Sequence, residues 1–167
     1  MNAREHKAGA PAVVRCAVIT VSDTRTLETD TGGQTVAGLL TASGHTVVSR
    51  HIVPDEPSRM RPLLEELRDQ PDVDAVLMTG GTGISHRDQT CETVCALLTK
   101  TLPGYGELFR WLSYQQIGAA AMLSRATGGL MGSTVLLTMP GSRAAVQLAM
   151  EQVILPELGH LVHEARR

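Results

Sequence analysis

The chain has 167 residues, a formal charge of −2 and an isoelectric point near 6.3, enough length for one compact domain with a sizeable core and no electrostatic case for binding nucleic acid. Residues 1–12 are polar with no apolar signal region, and no apolar run approaches the ~20 residues that span a bilayer, so a cytoplasmic protein without membrane segments is expected. The three cysteines, Cys16, Cys91 and Cys95, are odd in number and form no C-x-x-C pair, which argues against a disulfide framework.

In chain order, residues 1–12 read as a loose tail and 13–167 as a single domain. Val13 to Val21 is rich in β-branched residues and predicts the first strand, ending at Ser22-Asp23. Polar residues 24–31 form a loop, after which Val36, Leu39 and Leu40 take helical spacing up to a stop at Gly44. His45 to Val53 predicts a second strand, closed by Pro54-Asp55-Glu56. Met60, Leu63, Leu64 and Leu67 mark the next helix face, on which Pro62 fits only within the first turn. Val76, Leu77 and Met78 then form a short apolar run that fits a buried parallel strand.

Gly80-Gly81-Thr82-Gly83 interrupts that run, and Thr90-Cys91-Glu92 opens a helix with Thr90 as the expected N-cap. Cys91, Val94, Cys95 and Leu98 share one face of that helix, as small apolar core residues rather than as a metal or redox pair. A strand, a glycine loop and a helix in succession can bring backbone N–H groups against a phosphate. The loop is neither a Walker A motif, since no lysine follows, nor a dinucleotide fingerprint, since His86 stands where the last glycine belongs. It carries Arg87-Asp88 instead: a cation for phosphate and a carboxylate for a metal ion.

Further on, Pro103-Gly104 reads as a turn and Glu107 onward as a helix. Tyr105, Phe109, Trp111 and Tyr114 are the chain's only Phe, Tyr or Trp residues, so this segment is expected at a pocket or a subunit contact. Glycines 128, 129 and 132 bracket a hairpin before the β-branched strand Thr134 to Met139. Pro140-Gly141-Ser142 follows, with Ser142 capping a last helix that Pro156 kinks or restarts.

Strand–helix alternation predicts a three-layer α/β fold: a doubly wound, mostly parallel sheet with one antiparallel hairpin strand. In such a sheet the strands end on one edge, so Asp23, Asp55 and Asp88 are expected together beside the glycine loop, where ligands bind.

The ordered set Ser22-Asp23, Pro54-Asp55, Thr79 to Gly83 with Arg87-Asp88-x-Thr90, Pro103-Gly104-Tyr105-Gly106-Glu107, Ser124-Arg125-Ala126 and Pro140-Gly141-Ser142 resembles the Mog/MoaB family of molybdenum cofactor biosynthesis proteins. The likeness covers about residues 13–160; Tyr105 stands where that family more often has Phe, and Cys91 where proline is frequent. The resemblance implies a molybdopterin-binding-like fold and adenylylation of molybdopterin by ATP with Mg²⁺, releasing pyrophosphate. It implies catalytic and metal-holding roles for Asp55 and Asp88. The ligand-binding set it implies is Ser22, Asp23, Gly80, Gly81, Thr82, Gly83, Ser85, Arg87, Glu107, Arg110, Ser124, Arg125, Pro140, Gly141 and Ser142. It further implies a homotrimer, or a hexamer of two trimers, and contact with the molybdenum-inserting enzyme. The alternative is a non-catalytic member that binds molybdopterin or a partner of the same pathway.

Overall fold

A computed structural model describes residues 9–167. The elements are β1 (Arg15–Val21), α1 (Thr31–Ala42), β2 (Thr46–Val53), α2 (Pro57–Asp69), β3 (Ala75–Thr79) and α3 (Thr90–Leu97). They continue as β4 (Lys100–Thr101), α4 (Pro103–Ile117), a 3₁₀ segment (Gly118–Leu123), β5 (Gly128–Met131) and β6 (Thr134–Met139). Helix α5 (Arg143–Ala149) then runs through a π turn (Met150–Ile154) into α6 (Leu155–Ala165).

The strands form one six-stranded sheet in the order β2-β1-β3-β6-β5-β4. Strands β2, β1, β3 and β6 are parallel, and β5 and β4 add antiparallel at one edge. The mostly parallel sheet and the β5–β6 hairpin agree with the sequence pattern. Two-residue β4 is the addition, too short for any periodicity to reveal.

Strand residues sort between two cores by parity. Cys16, Val18, Ala75, Leu77, Val135, Leu137 and Met139 pack under α1, α4, α5 and α6. Ala17, Ile19, Val21, Val76, Met78 and Leu136 pack against Met60, Leu64 and Leu67 of α2 and Val94 of α3. With both faces covered, the central strands lose their alternation and become the continuous apolar runs that marked them in the sequence.

Four local expectations need correction. Pro62 lies inside α2, beyond its first turn; Pro57 holds the N-terminal position, and Pro62 leaves the helix one N–H short. Pro103 opens α4, with its fixed φ suited to a first helical residue, so the helix begins four residues before Glu107. Thr90 is the first helical residue of α3 rather than its cap, because its hydroxyl is spent donating to the Gly80 carbonyl at 2.9 Å. Helix α3 ends at Leu97, which turns Cys95 out to solvent while Cys91 and Val94 stay buried.

Of the tail expected over 1–12, residues 1–8 lie outside the described ones. Residues 10 and 11 run against α6, where a Cβ on Gly159 would sit 2.8 Å from the Pro11 carbonyl oxygen.

Candidate functional site

β1, β2, β3 and β6 are parallel, so their C-terminal ends open on one edge of the sheet. The loops that leave those ends carry Ser22-Asp23, Asp55, Gly80 to Asp88, and Pro140 to Ser142. Gly80 and Gly81 have φ of +98° and +67°, a region L side chains avoid. A Cβ on Gly81 would also collide with Thr90 Oγ1 and Asp55 Oδ2, and one on Gly83 would lie 2.8 Å from Asp88 Oδ2. The glycines thus let the loop pass directly against both carboxylates.

Asp55 is buried, and its Oδ1 accepts the Gln89 backbone N–H at 2.9 Å. Its Oδ2 takes no hydrogen bond among the described residues. Burial pushes the Asp55 carboxyl above the usual range, with the charges of Asp88 and Asp23 adding to the shift and the Gln89 N–H opposing it. Asp88 is half-buried and accepts the Ser85 backbone N–H at 3.0 Å.

Two arginines assigned to ligands from the sequence are engaged by the protein. Arg87 donates from Nε and Nη2 to Asp23, each at 2.7 Å, and from Nη2 to Glu56 at 3.3 Å. Those bonds from Arg87 hold the Asp23 carboxyl down at about 2. Arg125 donates to the Gly83 carbonyl at 2.8 Å and the Asp88 carbonyl at 3.1 Å, and it pairs with Glu92. It therefore ties the glycine loop to α3. The buried Cys91 thiol donates to the Arg125 carbonyl, and burial pushes that thiol up to about 11, which removes it as a thiolate nucleophile or ligand at neutral pH.

A cavity of about 430 Å³ opens beside the loop. One wall is polar: Gly80 to Gly83, Asp88, Ser124 and Pro140 to Ser142. The other is apolar, with Phe109, Ile117, Ala121 and Leu123 from α4 and the 3₁₀ segment. Gly80 and Gly141 also line an adjoining cleft of about 130 Å³ with Ser22, Arg25 and Asp30. Asp55 stands behind Gly81. Ser85, Arg87 and Arg125 brace the loop from outside. Glu107 is exposed on α4, and Arg110 donates to the Ala126 carbonyl at 2.9 Å; neither lines the cavity.

Sequence reading passed over Asp30. It is buried, caps α1 by accepting the Gly33 N–H at 2.8 Å, and also takes Thr20 Oγ1 at 2.8 Å and Arg50 at 3.1 Å. Its signal was an Asp directly before a Thr-Gly-Gly helix start, an N-cap pattern.

Among the described residues no group of three or more His, Cys, Asp or Glu could hold a metal ion. The Asp55–Asp88 pair still suits Mg²⁺, which binds through one or two carboxylates together with substrate phosphates.

The fold and this edge define an α/β protein with a glycine loop and a cavity at the C-terminal edge of a mostly parallel sheet. Residues 17–160 match the family model described as a probable molybdopterin binding domain. A Bacillus anthracis protein named molybdenum cofactor biosynthesis protein B is 52% identical over 168 residues, covering 100% of this chain and 99% of that one. A crystal structure of a molybdenum cofactor biosynthesis protein B superposes with a TM-score of 0.91 at 52% identity, covering 95% of this chain and 99% of that chain. The tungsten cofactor synthesizing protein MoaB from Pyrococcus furiosus gives 0.82 at 34% identity, covering 95% and 100%. The chain belongs to the Mog/MoaB family of molybdenum cofactor biosynthesis proteins. No helix among the described residues is long and apolar enough to cross a membrane.

Proposed function

We propose that the chain is a molybdopterin adenylyltransferase that acts on Mg²⁺–ATP. The observation that carries this reading is the placement of Asp55 and Asp88 on either side of the glycine loop at the open sheet edge. An oxygen of the molybdopterin terminal phosphate attacks the α-phosphorus of ATP. The bond to the oxygen bridging the α- and β-phosphorus breaks, pyrophosphate leaves, and a phosphoanhydride joins pterin and AMP. The nucleophile is already anionic, so the protein needs to position two anions and offset their charge rather than supply a strong base. Mg²⁺ held by Asp55 and Asp88 would supply that positive charge.

The chain's own groups do the rest. Backbone N–H groups of the loop and the Ser124 and Ser142 hydroxyls can donate to phosphate oxygens at the polar wall. Phe109, Ile117 and Leu123 offer an apolar wall to a flat ring. The working unit is a homotrimer, or two trimers paired, contacting the molybdenum-inserting enzyme in the cytoplasm.

One observation favours the second reading, a non-catalytic pterin binder: Arg87, the cation beside Asp88, is committed to Asp23 and Glu56. Purified protein with ATP, Mg²⁺ and molybdopterin decides between them. Pyrophosphate release that stops without Mg²⁺ is the expected outcome. Tight pterin binding without pyrophosphate at any Mg²⁺ concentration would establish the binder.

A further inference from the structure

A second basic feature lies beside the cleft that adjoins the glycine loop, with Arg25 lining both. The edge strand β2, the loop after β1 and the start of α2 enclose a groove of about 760 Å³. Arg25, Arg50, His51 and Arg59 line it, with Ser58 from the first turn of α2.

These cations are sparsely engaged. The Arg59 guanidinium makes no hydrogen bond or ion pair among the described residues, its backbone N–H donating to the Glu56 carbonyl at 2.9 Å. The Arg25 guanidinium donates to the Thr29 carbonyl at 3.0 Å, and its backbone N–H donates to Ser22 Oγ at 3.1 Å. Arg50 reaches Asp30 at 3.1 Å through Nη2, while its Nε is buried with no hydrogen-bond partner. A buried donor without an acceptor is destabilising. The start of α2 adds to the demand. Its N-cap, Glu56, gives no side-chain bond, and Glu56 is drawn instead to Arg87. Ser58, in the first turn of α2, lines the groove, and the positive end of a helix dipole favours an anion nearby.

We propose that this groove is an anion site separate from the candidate catalytic cavity, and that it takes a compact polyvalent oxyanion of the diphosphate class. The three guanidinium groups present planar donor forks that match phosphate oxygens in pairs, and their number matches a ligand with more than two negative charges. Among the described residues Asp30 is the only carboxylate bonded to them, and it pairs with Arg50 alone. The assignment does not depend on the adenylylation reading, since none of the residues holding Asp55 or Asp88 lines the groove.

Calorimetry on the full chain with inorganic pyrophosphate, orthophosphate and sulfate tests it. Pyrophosphate is expected to bind at least ~10-fold tighter than either single-centre oxyanion, with an affinity that weakens as salt rises. Arg59→Gln, whose guanidinium touches no structural partner, should weaken pyrophosphate by ~10-fold or more, and Arg68→Gln, which removes the same charge from an exposed position outside the groove, should leave it within about twofold. In an amide NMR titration the Ser58 resonance should move with pyrophosphate. Arg50→Gln is a second variant with the same expected loss. Absence of pyrophosphate binding at millimolar concentration, or binding that Arg59→Gln leaves unchanged, would overturn the proposal and leave the arginines as charges that keep edge strand β2 from pairing with another chain. Binding weakened as much by Arg68→Gln as by Arg59→Gln would overturn it equally, by making the loss one of net charge alone.

Discussion

Asp23 fastens Asp55 in place: its Oδ1 accepts the Asp55 backbone N–H at 3.1 Å while the same carboxylate holds Arg87. The expected phosphate ligand and one of the expected aspartates thus form a brace behind the buried carboxylate. Asp23→Ala should lower turnover by releasing residue 55, and Asp23→Asn, which keeps an acceptor oxygen, should restore part of it. Both are exposed side chains, so the thermal midpoint should move little. Equal turnover in the two variants would show that the backbone bond does not position Asp55.

Asp55→Asn and Asp88→Asn keep size and hydrogen-bonding capacity while removing charge. If metal-borne charge supplies about 3–4 kcal/mol of transition-state stabilisation, each should cut pyrophosphate release by ~10²–10³-fold. Steady-state assays on both variants check this. Near-normal rates in both would remove the pair from the mechanism.

The raised carboxyl of Asp55 has a stability consequence of definite sign. A folded pKa above the unfolded value means that the native state holds the proton more tightly. Stability is then lost as pH rises from the unfolded value of 3.8 through the raised folded value. Asn carries no charge to bury, so the midpoint of Asp55→Asn minus that of the parent should increase with pH across that window and stay positive at neutrality. Asp23 works in the opposite sense: its carboxyl, held at about 2, contributes stability that is lost as pH falls below 3.8. Melting curves of Asp55→Asn and the parent between pH 4 and 8 would show the Asp55 effect; a difference that falls with pH contradicts the burial argument.

Helix α4 divides the chain's aromatics. Tyr105 and Phe109 are buried, while Trp111 and Tyr114 are 61% and 62% exposed, near exposed Leu108 and Ile117. We expect this face to meet a second copy of the chain, giving a mass of three or six chains by light scattering. Trp111→Glu with Tyr114→Glu should shift the particle toward monomer without unfolding it. A monomeric parent at micromolar concentration rules out the assembly, and an intact oligomer in the double variant rules out only this contact.

The order of the elements, the two-sided burial of the sheet and the meeting of Asp23, Asp55 and Asp88 on one edge were legible in the sequence. Continuous apolar runs between helical spacings admit little else, and parallel crossovers force the strand ends to one side. Ser142 likewise capped its helix as its position implied, accepting the Ala145 N–H at 3.3 Å. What each polar group does there was decided only in three dimensions. Arg87 and Arg125 sit beside the loop in sequence or motif, yet their guanidinium groups go to Asp23, Glu56 and Glu92 and to loop carbonyls. Thr90 gave up capping for the Gly80 carbonyl. Asp30 gained its importance from Thr20 and Arg50, ten and twenty residues away. Local spacing fixes where backbone turns and which faces are apolar, because those terms act over a few residues. The partner of a long cation or a buried carboxylate is chosen by whatever acceptors or donors the folded chain brings within about 3 Å, and no periodicity records that choice.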